Sequence, residues 1–395
     1  MALKKLFDRL RPTFSEGGKL SALHSVFEGM ESFMLVPNTT SKSGVSIHDA
    51  IDSKRIMSLV VIALLPALLF GMYNIGWQSY HYGGQAAEGA TFWAMFGYGF
   101  LVMLPKIVVS YVVGLGIEFT VAQWKKEEIN EGYLVTGLLI PMILPVGTPL
   151  WMLALAVAFS VIFAKEIFGG TGMNIFNPAL VARAFLFFAY PSKMSGDQVW
   201  IAKDTIFGLG NEALAGSADA VTMATPLGEV GTGSPVSASL CDMVCGFIPG
   251  SVGETSLIAI AIGACILLFT RVASWKTMLS VFVGGALVAW LFNLGGANEV
   301  ARLPWYEHLC LGGFAFGAVF MATDPVTSAR TETGKYIYGF LIGALAITIR
   351  VLNPGYPEGM MLAILFMNMF APLIDYFVVE RNIKKRASRA HANNK

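Results

Sequence analysis

The chain has 395 residues, 55% of them apolar and only 13% charged, with a formal net charge of +1. An ordinary soluble domain carries about 25% charged residues, so this composition excludes one and points to a membrane protein. The near-zero net charge also argues against binding nucleic acid.

The N-terminus is basic (Lys4, Lys5, Arg9, Arg11), but no short apolar run with a small-residue cleavage site follows, so it does not read as a signal peptide. In "LSALHSVFEGMESFML", Leu20, Leu23, Phe27, Met30 and Met34 recur at helical spacing. That pattern reads either as an amphipathic helix on a membrane surface or partner, or as the buried face of a small soluble cap.

A bilayer core about 30 Å thick needs roughly 20 apolar residues per helix. Ten such runs are expected near 56–76, 92–119, 133–147, 149–168, 177–191, 255–271, 277–295, 308–323, 337–352 and 360–379. The third and fifth are short, and Pro141 and Pro145 interrupt the third. Cys241, Cys245, Cys265 and Cys310 lack the paired CxxC spacing of a zinc or iron–sulfur site. Cys241 and Cys245 are spaced to share one metal or a disulfide, but the scattered histidines offer no co-ligands, and four unlinked thiols are the simpler reading.

With ten spans, the basic N-terminus, "QWKKEE", "TRVASWK" and the tail "ERNIKKRASRAHANNK" fall on one side, the expected cytoplasm. "WQSYHYGGQAAEG" and the loop from 192 to 254 then face outward. The organisation expected is a cytoplasmic segment 1–55, a five-helix repeat 56–191, an outward loop 192–254, a second five-helix repeat 255–379 and a basic cytoplasmic tail 380–395. The fold class is therefore all-α: a polytopic membrane protein of about ten transmembrane helices in a 5+5 repeat.

The two halves resemble each other. "FNPALVARAFLFFAYP" matches "LNPGYPEGMMLAILFMNMFAP", and "TGLLIPMILPVGTP" matches "GGFAFGAVFMATDPVTS". Five spans per half is an odd number, so the second half is inverted relative to the first, as in transporters whose broken helices meet near the membrane midplane. Pro141, Pro145 and Pro149 break the third span and Asp324-Pro325 breaks the eighth. Irregular backbone at membrane depth is tolerated only where it is buried or lines a cavity. The breaks either line a site or end short spans at the interface.

Charged residues within or beside spans are Lys165, Glu166, Arg183, Asp324, Arg350 and Asp375. Each costs about 2.5 to 3.5 kcal/mol at a helix centre, so pairing, ion passage or cofactor binding is expected. Lys165 and Arg350 read equally well as side chains that snorkel to an interface. Asp324 stands where a broken helix frees backbone carbonyls, a setting that suits sodium, a hard cation that prefers oxygen. Asp375 is read the same way, or as an ion-pair partner of the basic tail. No nucleophile–base pair marks a catalytic residue.

The middle of the chain carries "ADAVTMATPLGEV", with Asp219, Thr222, Ala224 and Thr225. No histidine or lysine adjoins Thr225, so self-catalysed chemistry is not expected there. The spacing resembles the D-x-x-[ST]-G-A-T motif on which a separate flavin transferase joins FMN, through its phosphate, to the last threonine; Met223 stands where the motif has glycine. Together with "NEGYLVTGLLIP", "KEIFGGTGMNIFNPALVARAFLFFAYP", "IRVLNPGYPEGMMLAILFMNMFAPLID" and "VVERNIKKR", the chain from about 50 to 386 resembles the B subunits of sodium-translocating NADH:quinone oxidoreductases. These are related to the D subunits of ion-motive ferredoxin:NAD oxidoreductases.

That resemblance implies covalent FMN on Thr225, a non-covalent riboflavin, ubiquinone as electron acceptor and sodium as the exported ion. It also implies a bacterial inner-membrane complex with an FMN-bearing subunit, an NADH-oxidising flavin and iron–sulfur subunit, and further membrane subunits. Thr222, Ala224 and Asp219 are counted with the FMN site. Gly170, Gly172, Asn174, Asn177 and Arg183 are counted as cofactor-binding, with riboflavin placed at the GGTG turn, where glycines admit a flat ring and the asparagines offer amides. A Gly-rich turn followed by an Asn-Pro helix start is the alternative for the same residues. Glu131 and Gly132, with the amphipathic segment, are the expected quinone site. The rivals are the ferredoxin-linked D subunit, disfavoured by the roughly 50 polar residues before "DSKRIM", and a urea-channel-type transporter, which shares the repeat but not the flavinylation motif.

Overall fold

The computed structural model describes residues 2–14, 27, 44, 53–82, 91–125, 132–196, 199–202, 224–296, 298–353, 355 and 358–393. Glu131, Asp219, Thr222 and the amphipathic stretch apart from Phe27 lie outside them. The described residues form helices and no strand. In order these are α1 (Ala2–Phe14), α2 (Ser53–Tyr82), α3 (Phe92–Lys125), α4 (Tyr133–Ile143), α5 (Leu150–Ser160), α6 (Pro178–Ala189), α7 (Pro191–Met194) and α8 (Pro226–Gly231). They continue with α9 (Leu240–Cys245), α10 (Leu257–Phe269), α11 (Trp275–Gly295), α12 (Glu299–Arg302), α13 (Trp305–Cys310), α14 (Phe314–Phe316), α15 (Glu332–Leu352) and α16 (Met360–Asn393).

Six of the helical stretches are long and apolar enough to cross a membrane, and α4, α6 and α10 are shorter apolar helices. The chain is an all-α polytopic membrane protein. The eighth expected span is a broken string of α13, α14 and a π turn over Gly317–Met321. Capping side chains set several starts: Asn177 and Thr225 each precede a proline at the first helical position, and Ser256, Ser274 and Thr331 accept from backbone N–H groups of α10, α11 and α15. Large apolar side chains such as Trp93, Phe188 and Phe269 are more than 70% exposed, which fits a lipid-facing surface.

Packing repeats between the halves. Helix α3 packs on α4 and α5 as α11 packs on the Gly317–Met321 turn and α15, and α5 on α6 as α15 on α16. Helix α2 meets α10 and α6 meets α16 across the halves. Glycines permit the close crossing of α11 and α15: a methyl added to Gly343 of α15 or Gly284 of α11 would strike the facing backbone carbonyl, of Val281 or Phe340 respectively.

One expected span is shorter than drawn: the third does not run to 147, because α4 ends at Ile143 and Leu144 turns extended. The basic tail after 379 is carried on the last helix: α16 continues unbroken for 34 residues, about 51 Å at helical rise, well beyond a hydrocarbon core. The stretch from 224 to 254 is partly packed into the protein. Leu227, Val230, Met243, Ile248, Ser251, Val252 and Glu254 are buried.

The cause is the break after α4. Its last carbonyls have no helical partner. Met142 O accepts from Gly253 N at 2.9 Å, and Ile143 O accepts from the Ser251 hydroxyl at 3.1 Å and from Arg183 at 2.5 Å. The segment thus folds inward to satisfy them. Helix α1 was not anticipated from sequence; Phe14 and Phe7 on it pack their rings 4.8 and 5.6 Å from that of buried Phe27.

Candidate functional site

Helix α4, helix α6 and the broken eighth span each run between two sites at opposite ends of the bundle. At one end, Gly132, Val135 and Leu139 of the α4 segment, Asn177 at the start of α6, and Phe320, Thr323 and Asp324 of the eighth span line one cavity of about 100 Å³. Lys165, Thr171 and Asn174 of the turn after α5 complete it, with Ile56 and Met57 of α2. One residue of the expected quinone pair, two of the expected riboflavin residues and one of the expected sodium ligands therefore share a wall. Gly170, Gly172 and Arg183 are not part of that lining.

Local chemistry explains the arrangement. Gly169, Gly170 and Gly172 have φ of 112°, 88° and 92°, left-handed values that L side chains adopt only with strain. They turn the chain back so that the Thr171 side chain packs against Gly132, where an added methyl would collide with it. Asn174 is spent on its own turn, accepting from Gly172 N at 3.3 Å and donating to Phe176 O at 3.0 Å. Asn177 caps α6 by accepting from Ala179 N at 3.0 Å, and its amide donates to Asp324 at 3.1 Å. Asp324 also accepts from Val326 N at 3.0 Å and from the Thr327 hydroxyl at 3.2 Å. The break of the eighth span is thereby tied to the start of α6.

Asp375 lies elsewhere. Its carboxylate accepts from Arg330 N at 2.7 Å, Thr331 N at 3.0 Å and the Thr331 hydroxyl at 2.5 Å. It anchors the turn that starts α15, in place of the ion pair with the basic tail that its position allowed.

Neither Lys165 nor Arg350 snorkels. A π turn over Val161–Lys165 shifts the helical phase and swings Lys165 inward, where it pairs with buried Glu118 of α3 and stands 5.8 Å from the Tyr133 ring centroid. Arg350 is fully buried and donates to the carbonyls of His308 (2.6 Å), Leu311 (3.0 Å) and Glu358 (3.1 Å). Glu118 and Lys106 were missed in the sequence although each stands in an apolar run; Lys106 donates to Val146 O in the break after α4.

At the other end, a small depression of about 30 Å³ is lined by Thr225, Ser251, Glu254, Gly312, Gly313 and Glu358, among others. Thr225 is half-buried, and its hydroxyl oxygen accepts from Gly228 N at 3.2 Å as the cap of α8. Beneath it, Arg183 joins Glu254 at 2.7 Å, Glu358, and the Ile143 carbonyl. One guanidinium thus holds the end of α4, the segment before α10 and the segment before α16. Cys241 and Cys245, nearby in sequence, are free thiols with sulfurs 3.9 Å apart. No cluster of three His, Cys, Asp or Glu side chains is placed to hold a metal among the described residues.

The chain is similar in sequence to known proteins over nearly its whole length. It is 44% identical over 409 residues to the B subunit of the Na(+)-translocating NADH-quinone reductase of Chromohalobacter salexigens, spanning 98% of this chain and 97% of that one. It is 45% identical over 419 residues to the protein of the same name from Klebsiella pneumoniae strain 342, spanning 98% and 100%. For the one from Haemophilus influenzae strain PittEE the identity is 42% over 416 residues, spanning 99% and 100%. Residues 40–384 match the NQR2, RnfD, RnfE family, and the chain belongs to it.

Proposed function

We propose that this chain is the B subunit of a sodium-translocating NADH:quinone reductase, a membrane component that bears FMN on Thr225 and helps pass electrons to ubiquinone as sodium is exported. The observation that carries the reading is the near-full-length identity of 42 to 45% to relatives of that name, combined with a flavinylation-type motif whose acceptor is partly accessible. Thr225 fits a phosphoester. Its hydroxyl sits at a helix start, where backbone N–H groups favour an added anion, and an esterified oxygen still accepts from Gly228 N. Bound there, a flavin supplies reversible redox chemistry that the protein positions and tunes.

The cavity at the Asp324 end is proposed as the sodium site. Asp324 and Thr323 line it and offer carboxylate and hydroxyl oxygens, the ligands a hard cation prefers. About 100 Å³ is room for several waters, which suits a partly hydrated ion. Riboflavin and the quinone head do not fit this volume, which is below the roughly 300 Å³ of a small-molecule site. Gly132, Asn174 and Asn177, the residues proposed for them, line this end, and their entry requires the cavity to widen. The orientation proposed puts this end and both termini in the cytoplasm of a bacterial inner membrane and Thr225 outside, within reach of the flavin transferase and the FMN-bearing subunit. The NADH-oxidising flavin and iron–sulfur subunit stands at the cytoplasmic side.

Fluorescence of the denatured chain in a gel under ultraviolet light tests the FMN assignment. The band is expected in the native sequence and lost in Thr225→Ala, with the added mass on the peptide containing Thr225. An unmodified Thr225 from cells that make the transferase rejects it. For sodium, Asp324→Asn is expected to raise the concentration for half-maximal quinone reduction, about tenfold for each ~1.4 kcal/mol of lost coordination. Unchanged sodium dependence in a fully flavinylated variant leaves Asp324 as a turn-forming residue only.

A further inference from the structure

Helix α9 carries two thiols that meet. Cys241 and Cys245 stand four residues apart on it, Cys241 exposed and Cys245 half-buried, and their sulfurs are 3.9 Å apart, close enough for one S–H to donate to the other. Their surroundings hold them there. Ser239 and Asp242 close a capping box at the start of the helix. At its end Gly246, with φ of 101°, turns the chain so that its N–H and that of Phe247 donate to Asp242 O at 2.7 and 3.0 Å. The Phe247 ring then lodges against Phe70 and Trp77 of α2, at centroid distances of 5.7 and 5.1 Å. Anchored at both ends, the two thiols stay neighbours on one turn, which raises their effective concentration.

The spacing suits a covalent link between the sulfurs. Four residues along a helix put two Cα atoms roughly 6 Å apart, inside the range of about 4.4–6.8 Å that a disulfide spans. The Cβ atoms start about 5–6 Å apart and must come within about 4.5 Å. Helix α9 has six residues and Cys245 is the last of them, so the approach is made where the helix ends and no further turn has to follow it. A metal is less well served. A tetrahedral site takes four ligands, and no third His, Cys, Asp or Glu joins these two among the described residues. Cys265 in α10 and Cys310 at the end of α13 lie on other elements.

We propose that Cys241 and Cys245 form a disulfide that staples α9 on the outward surface. Its presence in cells rests on the proposed orientation, which puts α9 in the oxidising compartment outside the inner membrane, where disulfides form and persist. The oxidant is a disulfide-carrying exchange protein of that compartment. The Cys241 thiolate attacks it, one carrier sulfur leaves as a thiolate, and the Cys245 thiolate then displaces the other carrier sulfur from the mixed disulfide. One S–S bond forms in this chain as one is lost in the carrier, which departs as a dithiol with two electrons and two protons. The link steadies the turn between the Phe247 seat and the segment that bears Thr225. That segment is tied to the start of α9 as well, since Glu229 of α8 accepts from Ser237 N at 2.9 Å and from its hydroxyl at 2.7 Å.

The test uses the assembled complex, quenched with acid as the cells are opened, then denatured and exposed to maleimide with and without prior reduction. Peptide masses report each cysteine separately. Alkylation at Cys241 and Cys245 is expected to rise at least about tenfold on reduction, with the unreduced peptide lighter by two hydrogens, while Cys265 and Cys310 react either way. Cys241→Ser is expected to leave Cys245 reactive without reductant. Equal alkylation of both thiols before and after reduction overturns the disulfide where Ser234→Cys is labelled from outside the inner membrane. If Ser234→Cys is reached only from the cytoplasm, the orientation reading has failed instead, and the pair is judged in the purified complex with glutathione disulfide. Joint loss of both thiols with no glutathione retained then supports the link; glutathione held on one sulfur, or no reaction, overturns it.

Discussion

Asp375 shows how one residue's hydrogen bonds separate two roles. Its oxygens accept from two backbone N–H groups and one hydroxyl at the start of α15, so removing its charge exposes donors in a turn the helix needs. If anchoring is its whole contribution, Asp375→Asn and Thr331→Ala are expected to act alike, each lowering stability by about 1–3 kcal/mol without altering the sodium dependence of turnover. A raised sodium requirement confined to Asp375→Asn assigns it to the ion path instead. Arg183 holds two carboxylates and a carbonyl beneath the Thr225 surface. Its expense in the membrane was readable from the sequence; its partners were not, because Glu254 and Glu358 are 71 and 175 residues away.

At the scale of elements, the buried pair of Lys165 and Glu118 is created by an irregular turn. In a regular helix Lys165 at the end of α5 keeps the phase of its neighbours, and nothing in the residue types Val161–Lys165 announces a π turn. That is why the snorkelling alternative stood on equal terms in the sequence and failed in the structure. Glu118→Gln, which leaves the ammonium without its partner, is expected to destabilise the protein by about 3–5 kcal/mol, read as a lower midpoint of thermal unfolding in detergent. Pairing it with Lys165→Met is expected to recover most of that loss, and no recovery means the pair is not what holds α3 to α5. The Asn177-Pro178 start of α6 was legible because capping is local. Contacts such as Gly253 to Met142 were not, since they answer a need for backbone partners that only the assembled fold defines. Gly132 belongs with them: its missing side chain is explained by Thr171, which reaches it from the far side of α5. Gly132→Val is expected to cost about 1–3 kcal/mol through the clash, and Thr171→Ala to relieve it in a double-mutant cycle.

For the molecule as a whole, repeated packing between the halves places the Asp324 cavity and the Thr225 surface at opposite ends, linked by α4, α6 and the broken eighth span. The carbonyls freed where α4 stops are held at one end by Arg183, Ser251 and Gly253. The proposed orientation rests on charge: α16 carries Lys384, Lys385, Arg386 and Arg389 far beyond a hydrocarbon core, and basic segments tend to be retained on the cytoplasmic side. Ser234→Cys and Ser388→Cys, both at exposed positions and each made in a background without native cysteines, give the measurement. In intact cells made permeable only at the outer membrane, an impermeant maleimide is expected to label the thiol at position 234 and spare the one at position 388 until the inner membrane is opened. Labelling at 388 with protection at 234 reverses the orientation, and with it moves the proposed FMN surface to the cytoplasm and the sodium cavity to the outside.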